Sequence, residues 1–250
     1  MAKCAWVTGA GKGIGRATAL RLAADGWRIA ASARTRDDLL SLQAAAPAGA
    51  IEIFPLDITD RDATVKTVQQ IERGVGAIEL ALLNAGTHRP GHAADFAVDD
   101  FRYLVETNIM GTVHGLAAVL PIFLARKAGQ IGIVASVAGY RGLPGAAAYG
   151  CTKAGLINMA EALKPELNEA GVMLSLINPG FVETPLTDKN DFAMPDLITA
   201  DEAAGYIVRG LEQKRFEVAF PWRFKMIMKL LRIIPNGLFF MISRRMVRTR

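Results

Sequence analysis

The sequence predicts an α/β fold, in which a single doubly wound parallel sheet carries helices on both faces. The first observation is that short apolar segments rich in Ile, Val, Leu and Ala alternate with stretches of helical character along most of the chain. The second is that these segments are continuously apolar, as in parallel strands buried on both faces. The third is the apolar fraction of 51% in 250 residues, which is enough for one large core.

The predicted elements alternate between strand and helix. Strands are predicted at residues 4–8, 28–32, 51–55, 79–83, 130–135 and 172–177. Helices are predicted at residues 14–25, 35–46, 60–73, 101–124 and 149–168. Right-handed crossovers bring the carboxyl ends of such strands to one edge of the sheet, and ligands bind at that edge in folds of this kind.

A glycine-rich loop follows the first predicted strand and opens the first helix. It consists of Thr8, Gly9, Ala10, Gly11, Lys12, Gly13, Ile14 and Gly15. Glycine lets a backbone approach a pyrophosphate closely, and the helix N-terminus offers free N–H groups with a partial positive charge. The loop therefore predicts dinucleotide binding in a Rossmann-like domain rather than a plain strand-to-helix turn.

The charge at the end of the second strand predicts which dinucleotide is bound. NAD-specific folds place an acid there for the ribose 2′-hydroxyl, whereas this chain has Ala33 and Arg34. An arginine can pair with a 2′-phosphate, and Lys12 adds a second cation, so NADP(H) is the predicted cofactor. In the alternative, Arg34 and Arg36 are solvated and Asp37 turns inward to take the acid's role.

Further cofactor-binding residues are predicted after the third and fourth strands. Asp57, followed by Ile58, could accept a hydrogen bond from an adenine amino group, or could act as an N-cap-like residue before the helix. Asn84, Ala85 and Gly86 suit a close backbone approach to the cofactor. All five residues belong to the predicted carboxyl edge of the sheet.

Ser136, Tyr149 and Lys153 are the predicted catalytic residues. Tyr149 and Lys153 are four residues apart on one predicted helix, so they share a face, and Ser136 follows the fifth strand. Carbonyl reduction leaves an alkoxide that a tyrosine hydroxyl can protonate, but the ordinary pKa of about 10 is too high for an efficient base. We expect the Lys153 ammonium to lower the pKa of Tyr149 and to bind the nicotinamide ribose, while Ser136 polarises the carbonyl.

Together these residues resemble the short-chain dehydrogenases/reductases of about 250 residues, in the NADP(H)-preferring type. The resemblance covers about residues 3–215 and rests on the loop from Thr8 to Gly15, Asp57, Asn84-Ala85-Gly86, Asn108, Ser136, the segment from Tyr149 to Lys153, Pro179-Gly180 and Thr184. It implies that Asn108 joins a proton relay with the lysine through water. It also implies cofactor contacts for Tyr149, Lys153, Pro179, Gly180, Val182 and Thr184. Gly150 and Cys151 depart from the family pattern, and we expect Cys151 to be buried and turned away from the site.

The predicted function is that of an NADP(H)-dependent oxidoreductase acting on a lipophilic carbonyl or secondary alcohol, in a homo-oligomer implied by the resemblance. The substrate segments are predicted at residues 140–147 and 184–199, which are mostly apolar. The alternative is a non-catalytic NADP(H)-binding scaffold or sensor. No metal is predicted, because His88 and His92 lack an acid or cysteine at a usual ligand spacing. Two cysteines and the absence of an apolar leader predict a cytoplasmic protein.

Positive charge is concentrated at the end of the chain. The tail, residues 221–250, has no acidic residue and contains the basic residues Arg223, Lys225, Lys229, Arg232, Arg244, Arg245, Arg248 and Arg250. Subtracting these eight charges from the net +5 leaves −3 for residues 1–220, the predicted catalytic domain. A basic tail on an acidic body does not predict nucleic-acid binding.

The tail itself is predicted to form a basic amphipathic extension. A helix is predicted at 224–234, with Lys225, Lys229 and Arg232 in one stripe, then a break at 235–237 and an apolar run at 238–242. Neither run has the roughly 20 residues that a spanning helix needs. Three roles remain open: peripheral membrane contact, packing on the body or at a subunit interface, and a lid over a lipophilic substrate.

Overall fold

The computed structural model describes residues 2–189 and 194–247. Within these ranges, seven parallel strands form one sheet in the order β3-β2-β1-β4-β5-β6-β7. The strands are β1 (Cys4–Thr8), β2 (Arg28–Ala33), β3 (Ile51–Pro55), β4 (Ile78–Leu83), β5 (Gln130–Val134), β6 (Met173–Pro179) and β7 (Glu217–Phe220). The order reverses between β1 and β4, which is the switch point where ligands bind in such sheets.

Helices cover both faces of the sheet. They are α1 (Gly13–Ala24), α2 (Arg36–Ala44), α3 (Arg61–Gly74), α4 (Val98–Leu104), α5 (Gly111–Arg126), α6 (Ala147–Glu169), α7 (Ala200–Glu212), α8 (Trp222–Ile233) and α9 (Asn236–Ser243). One apolar core joins the sheet to α1, α2 and α7, and includes Leu22, Leu39 and Ile207. A second core joins the opposite face to α3, α5 and α6. The predicted doubly wound α/β fold is therefore confirmed.

The structure contains two elements that the sequence analysis did not predict, α7 and β7. A capping box starts α7: the Thr199 hydroxyl accepts from the Glu202 N–H at 3.2 Å, and Glu202 Oε2 accepts from the Thr199 N–H at 2.9 Å. This Thr-x-x-Glu spacing is visible in the sequence and could have predicted the helix start. The strand β7 has only four residues and extends the sheet beyond β6, so its pattern is too short to stand out.

The predicted helix at 101–124 is interrupted at the site. A π-helical segment, Val105–Met110, separates α4 from α5. The combined stretch Val98–Arg126 is long and apolar enough to cross a membrane by length and composition alone. However, 44% of its most apolar window is buried, and it packs against α3 and α6, so we interpret it as a core helix.

The tail forms two helices rather than one helix and an apolar run. The predicted break is confirmed at Pro235 but does not extend to 237, because α8 ends at Ile233 and α9 begins at Asn236 with Pro235 as its N-cap. A proline just before a helix suits its start, since the fixed φ is already helical and its missing N–H is not needed there. Arg248 and Arg250 of the tail and residues 190–193 of the predicted substrate segment lie outside the described residues.

Candidate active site

The carboxyl ends of β1 and β4 are joined by the side chains of Thr8 and Asn84. Asn84 Nδ2 donates to the carbonyl oxygens of Thr8 at 3.0 Å and Gly9 at 3.2 Å. The N–H groups of Asn84 and Ala85 donate to Thr8 Oγ1 at 3.0 and 3.1 Å. These bonds hold the glycine loop at the switch point, so Thr8 and Asn84 shape the predicted cofactor site.

The glycine loop forms a cradle whose four glycine positions have no room for a side chain. Gly9 and Gly13 have φ of +66° and +54°, which L-residues rarely adopt. A Cβ at Gly13 would lie 2.9 Å from Thr184 Cγ2, and one at Gly15 would collide with the Gly9 carbonyl oxygen. The N-cap Lys12 makes no side-chain bond to α1. The free N–H groups of a helix start and a tight glycine turn fit the pyrophosphate of a dinucleotide.

The ionic environment of Lys12 differs from the prediction. Lys12 Nζ lies 3.2 Å from Asp38 Oδ2, and a Cβ at Gly11 would lie 2.9 Å from the Asp38 Cβ. The acid beside the glycine loop is therefore Asp38, whereas Asp37 is exposed. Both acids lie in the first turn of α2, and the helical rotation between them turns Asp38 toward the loop.

Arg34 is exposed at the end of β2. Its charge lowers the pKa of Tyr103 in α4, against the effect of burial. Its charge also acts on Asp57, whose Oδ1 accepts from the Thr59 N–H at 3.0 Å and from the Thr59 hydroxyl at 2.8 Å. Burial favours a higher pKa for Asp57, but the Thr59 bonds and the Arg34 charge bring its pKa below the usual value.

The residues beside Asp57 have structural roles. The N-cap of α3 is Asp60, whose carboxylate accepts from the Ala63 N–H at 2.9 Å, so Asp57 does not serve as that cap. The side chain of Ile58 is buried and packs closely against Gly111, where an added Cβ would collide with Ile58 Cδ1. Its carbonyl lies 3.0 Å from His114 Nδ1. The Ile58 side chain is thus part of the core.

Ser136, Tyr149 and Lys153 meet in a cavity of about 110 Å³ at the carboxyl edge of the sheet. The cavity is lined by Ile14, Asn84, Gly86, Thr87, Val134, Ala135, Ser136, Tyr149, Lys153, Pro179, Gly180, Val182, Thr184, Leu186 and Thr187. Ten of these are predicted site residues, brought together from the ends of β4, β5 and β6 and from α1 and α6. Leu186 and Thr187 belong to the predicted substrate segment at 184–199, whereas Thr87, Val134 and Ala135 lie one or two residues from predicted ones, so proximity along the chain was the available signal for those three.

Hydrogen bonds set the positions of the three predicted catalytic side chains. The Ser136 hydroxyl donates to the Pro179 carbonyl oxygen at 3.3 Å and accepts from the Ala138 N–H at 3.1 Å, and its proximity opposes the rise in the pKa of the Tyr149 phenol that burial causes. Lys153 Nζ donates to the Val134 carbonyl at 3.0 Å and lies 5.6 Å from the centre of the Tyr149 ring. The hydroxyl and the ammonium therefore face the same cavity.

The pKa of Tyr149 shifts in the direction opposite to the prediction. Burial raises the pKa of Tyr149 to about 12, with only a small lowering from the Ser136 hydrogen bond. Burial also lowers the pKa of Lys153 to about 8. Both shifts arise because a low-dielectric interior disfavours the charged form of each group. In the protein alone, this desolvation outweighs the expected effect of the ammonium on the phenol.

Asn108 lies in the π-helical segment and is fully buried. Its Oδ1 accepts from the Thr87 N–H at 2.7 Å, while Nδ2 donates to the Thr87 carbonyl at 3.0 Å and to Thr152 Oγ1 at 3.1 Å. A Cβ at Gly86 would lie 3.2 Å from Asn108 Oδ1 and 3.5 Å from Lys153 Nζ. Asn108 thus ties the loop after β4 to α6 beside the lysine.

The surroundings of Tyr149 include a residue that the sequence analysis did not promote. The rings of His88 and Tyr149 meet edge to face with centroids 4.6 Å apart. By contrast Tyr140, from the predicted substrate segment, lies outside the cavity lining and donates from its hydroxyl to Glu217 at 2.5 Å. Cys151 is exposed rather than buried. It follows Tyr149 by two residues in α6, and this spacing turns its side chain to the solvent side of the helix.

No metal site accompanies this arrangement in the described ranges, where no group of three His, Cys, Asp or Glu side chains could hold an ion. The glycine cradle, the buried lysine and the phenol share one edge, and this is an arrangement that can bind a dinucleotide and transfer a proton.

A family model and several known proteins are similar in sequence to this chain. A family model described as short chain dehydrogenase matches residues 3–194. A protein of Myxococcus xanthus named as an uncharacterized oxidoreductase is 36% identical over 98% of this chain and 97% of its own length. A 3-oxoacyl-(acyl-carrier-protein) reductase of Thermotoga maritima is 32% identical over 75% of this chain and 77% of its own.

Solved structures share the fold. A short chain dehydrogenase/reductase of Burkholderia phymatum in complex with NAD superposes with a TM-score of 0.83 at 24% identity, covering 92% of each chain. A short-chain dehydrogenase of Sphingobium yanoikuyae in complex with NADPH reaches 0.80 at 22% identity, covering 94% of this chain and 97% of that one. At these identities the likeness shows the fold alone.

Proposed function

The chain belongs to the short-chain dehydrogenase/reductase family, as its sequence motifs predicted, and we propose that it is an NADP(H)-dependent carbonyl reductase or the matching alcohol dehydrogenase. The observation that carries the proposal is the meeting of Ser136, Tyr149 and Lys153 in one cavity at the switch point beside the glycine cradle. An oxidoreductase acting on an alcohol or carbonyl group accounts for all of these features together.

The cofactor part of the proposal rests on charge. Arg34 is exposed at the end of β2, where no acid is present to bind a ribose 2′-hydroxyl, and it can pair with a 2′-phosphate. The pairing of Lys12 with Asp38 weakens the support from the second cation. Fold neighbours bind either dinucleotide, since the Burkholderia protein was solved with NAD and the Sphingobium protein with NADPH. Fluorescence titration with NADPH and with NADH tests the preference directly.

We predict that Arg34→Ala raises the Kd for NADPH by roughly 10- to 30-fold, because a charge-assisted bond to the phosphate is lost. The Kd for NADH should change less than about twofold. Arg36→Ala is the matched control. Arg36 is exposed like Arg34 but lies at the start of α2, and its replacement should leave both dissociation constants unchanged. An equal loss for both cofactors would contradict the assignment of Arg34 to the 2′-phosphate.

In the proposed reaction the dinucleotide, when bound, supplies or accepts the hydride. The residues from Gly9 to Gly15 would hold its pyrophosphate, and the residues from Pro179, at the end of β6, to Thr184 would contact its nicotinamide end. Ser136 donates a hydrogen bond to the carbonyl oxygen of the substrate and holds it in line. Tyr149 gives that oxygen its proton, and its raised pKa keeps the phenol protonated at neutral pH for this step.

Lys153 is proposed to stabilise the negative charge that forms on Tyr149 when the phenol loses its proton. Its ammonium is buried and held by the Val134 carbonyl, so its field is little screened by water. Asn108 positions the loop that carries Gly86 and Thr87 against the lysine. A relay through water between Asn108 and Lys153 is part of the proposal, on the strength of the family resemblance.

The pKa of Lys153 predicts how carbonyl reduction depends on pH. With a pKa of about 8, Lys153 is charged below pH 8 and neutral above it, whereas Tyr149 stays protonated throughout this range. We expect kcat for reduction to be level below pH 8 and to fall about tenfold per pH unit above it. The Kd for NADPH, measured over the same range, separates this effect from weaker binding. A level kcat up to pH 10 would contradict the role of the ammonium.

The substrate is proposed to be a lipophilic carbonyl compound or secondary alcohol. Val134, Val182 and Leu186 give the cavity apolar walls around the polar catalytic groups. Turnover of a panel of apolar ketones and charged, sugar-like carbonyls with NADPH tests the idea, and turnover of the charged compounds alone would overturn it. A non-catalytic scaffold is not favoured, since the relatives are named as oxidoreductases. Assembly into a homo-oligomer and a cytoplasmic location remain predictions.

A further inference from the structure

Exposed apolar side chains are concentrated on the two tail helices. Among the described residues, eleven of the seventeen exposed large apolar side chains lie between Trp222 and Val247. They are Trp222, Met226, Ile227, Leu230, Ile233, Leu238, Phe240, Met241, Ile242, Met246 and Val247. We refer to these eleven as the tail face. Scattered apolar side chains are normal on a soluble protein, but a concentration of this kind indicates an interaction surface.

The orientation of α8 shows that packing on the protein uses only one side of the helix. Phe224 and Met228 are buried against the core, one helical turn apart. Trp222, Met226 and Leu230 are also spaced by four residues but lie on the opposite side, where Trp222 is 67% exposed. Self-packing therefore accounts for the buried stripe and leaves the tail face exposed.

The cations of the tail divide into two groups. Lys229 pairs with Glu217, and Arg232 lies 4.0 Å from Glu161, so these two attach α8 to the catalytic body. The other described cations of the tail are Lys225, which is half-buried, and three exposed arginines, Arg223, Arg244 and Arg245. No carboxylate within the described ranges forms an ion pair with these three. The tail face is thus bordered by positive charge that the body does not neutralise.

The tail face is held in a fixed place beside the catalytic cavity. A Cβ at Gly180, which lines the cavity, would lie 2.8 Å from Phe224, and the Phe181 and Phe224 rings pack with centroids 5.1 Å apart. Arg141 donates to Asn236 Oδ1 at 2.7 Å and lies over the Phe239 ring, which anchors α9. A preformed surface loses less entropy on binding than a disordered tail.

We propose that the tail face docks on a membrane surface that contains anionic lipids. Bulky apolar side chains bordered by arginines match the boundary between lipid headgroups and acyl chains. Helices of 12 and 8 residues are too short to span a bilayer. A symmetric dimer would instead bring the same cations of two copies together, with no acidic residue in residues 221–250 to offset them. The proposal goes beyond the proposed reaction and does not depend on it.

Vesicle flotation of the full-length protein with NADPH tests the proposal without measuring turnover. We expect the protein to float with vesicles of phosphatidylcholine and phosphatidylglycerol, and more weakly with phosphatidylcholine alone or at high salt. The triple variant Trp222→Ser, Leu230→Ser, Ile233→Ser should bind anionic vesicles at least tenfold more weakly. The triple variant Arg223→Gln, Arg244→Gln, Arg245→Gln should lose roughly 100-fold on anionic vesicles and little on neutral ones.

The matched control is Leu40→Ser with Leu124→Ser, which removes exposed leucines of α2 and α5 and should bind vesicles as the unchanged protein does. Thermal unfolding of every variant checks folding, and all four protein forms should melt within a few degrees, because the changed side chains are exposed. Absence of flotation with anionic vesicles would overturn the proposal. So would a serine variant that changes the oligomeric state in sedimentation velocity while vesicle binding is unaffected, since the tail face would then bind a second copy.

Discussion

Replacing Tyr149 by phenylalanine should lower kcat for carbonyl reduction by about 10³-fold or more while the protein still binds NADPH. The hydroxyl is the group that faces Ser136 in the cavity, and no other described tyrosine lines that cavity. General acid catalysis contributes roughly 10²- to 10⁴-fold, so removal of the proposed proton donor should remove that contribution. Stopped-flow kinetics with NADPH and a ketone substrate measures the loss.

Binding separates this catalytic role from a structural one. The Kd for NADPH should stay within about twofold, because the phenyl ring keeps its packing against His88. Tyr206→Phe serves as the control, since Tyr206 is exposed on α7 and stacks on Phe220 away from the cavity. Retained turnover in the Tyr149 variant would show that another group donates the proton, and the catalytic assignment would then fail although the fold and cofactor site stand.

The second large effect is expected at Gly15. In Gly15→Ala the new methyl group would overlap the Gly9 carbonyl oxygen and lie 2.4 Å from Asn84 Nδ2, so α1 must move away from the loop. We expect the free energy of unfolding to fall by about 1–3 kcal/mol, as overpacking in a close-packed interior commonly does. Displacement of the helix start should also weaken dinucleotide binding at least 100-fold, because the N–H groups no longer converge on the pyrophosphate.

Gly74→Ala is the matched control for this change. Gly74 ends α3, has no left-handed φ, and a Cβ there would meet nothing within 4 Å. Alanine should therefore stabilise the protein slightly, by about 0.4–1 kcal/mol, and leave NADPH binding unchanged. Denaturant unfolding and NADPH titration of both variants provide the comparison. If Gly15→Ala bound NADPH as tightly as Gly74→Ala, the glycine loop would not be the cofactor cradle.

Patterns close together in the chain were sufficient to predict the fold and the candidate site. The glycine loop, the four-residue spacing of Tyr149 and Lys153 and the continuous apolar strands each depend on backbone geometry within a few residues. Parallel strand–helix units then impose the common carboxyl edge, which brings Ser136 to the same cavity. The family relationship could be inferred for the same reason, since its motifs are local ones.

Only the tertiary structure decided which partners the charged and aromatic side chains choose. Lys12 pairs with Asp38, and Tyr140 bonds Glu217, 77 residues away, instead of lining the cavity. These pairings depend on competition between hydrogen-bonding and charged partners that lie far apart in the chain, and no local sequence pattern predicts its outcome.

The raised pKa of Tyr149 likewise depends on burial, which the folded environment sets and the spacing of residues does not.

The tail gives the last example. Its sequence determined that it would be basic, apolar and too short to span a bilayer. The side of α8 that faces the protein was decided by the acids and apolar residues it meets there, Glu217 and Phe181 among them.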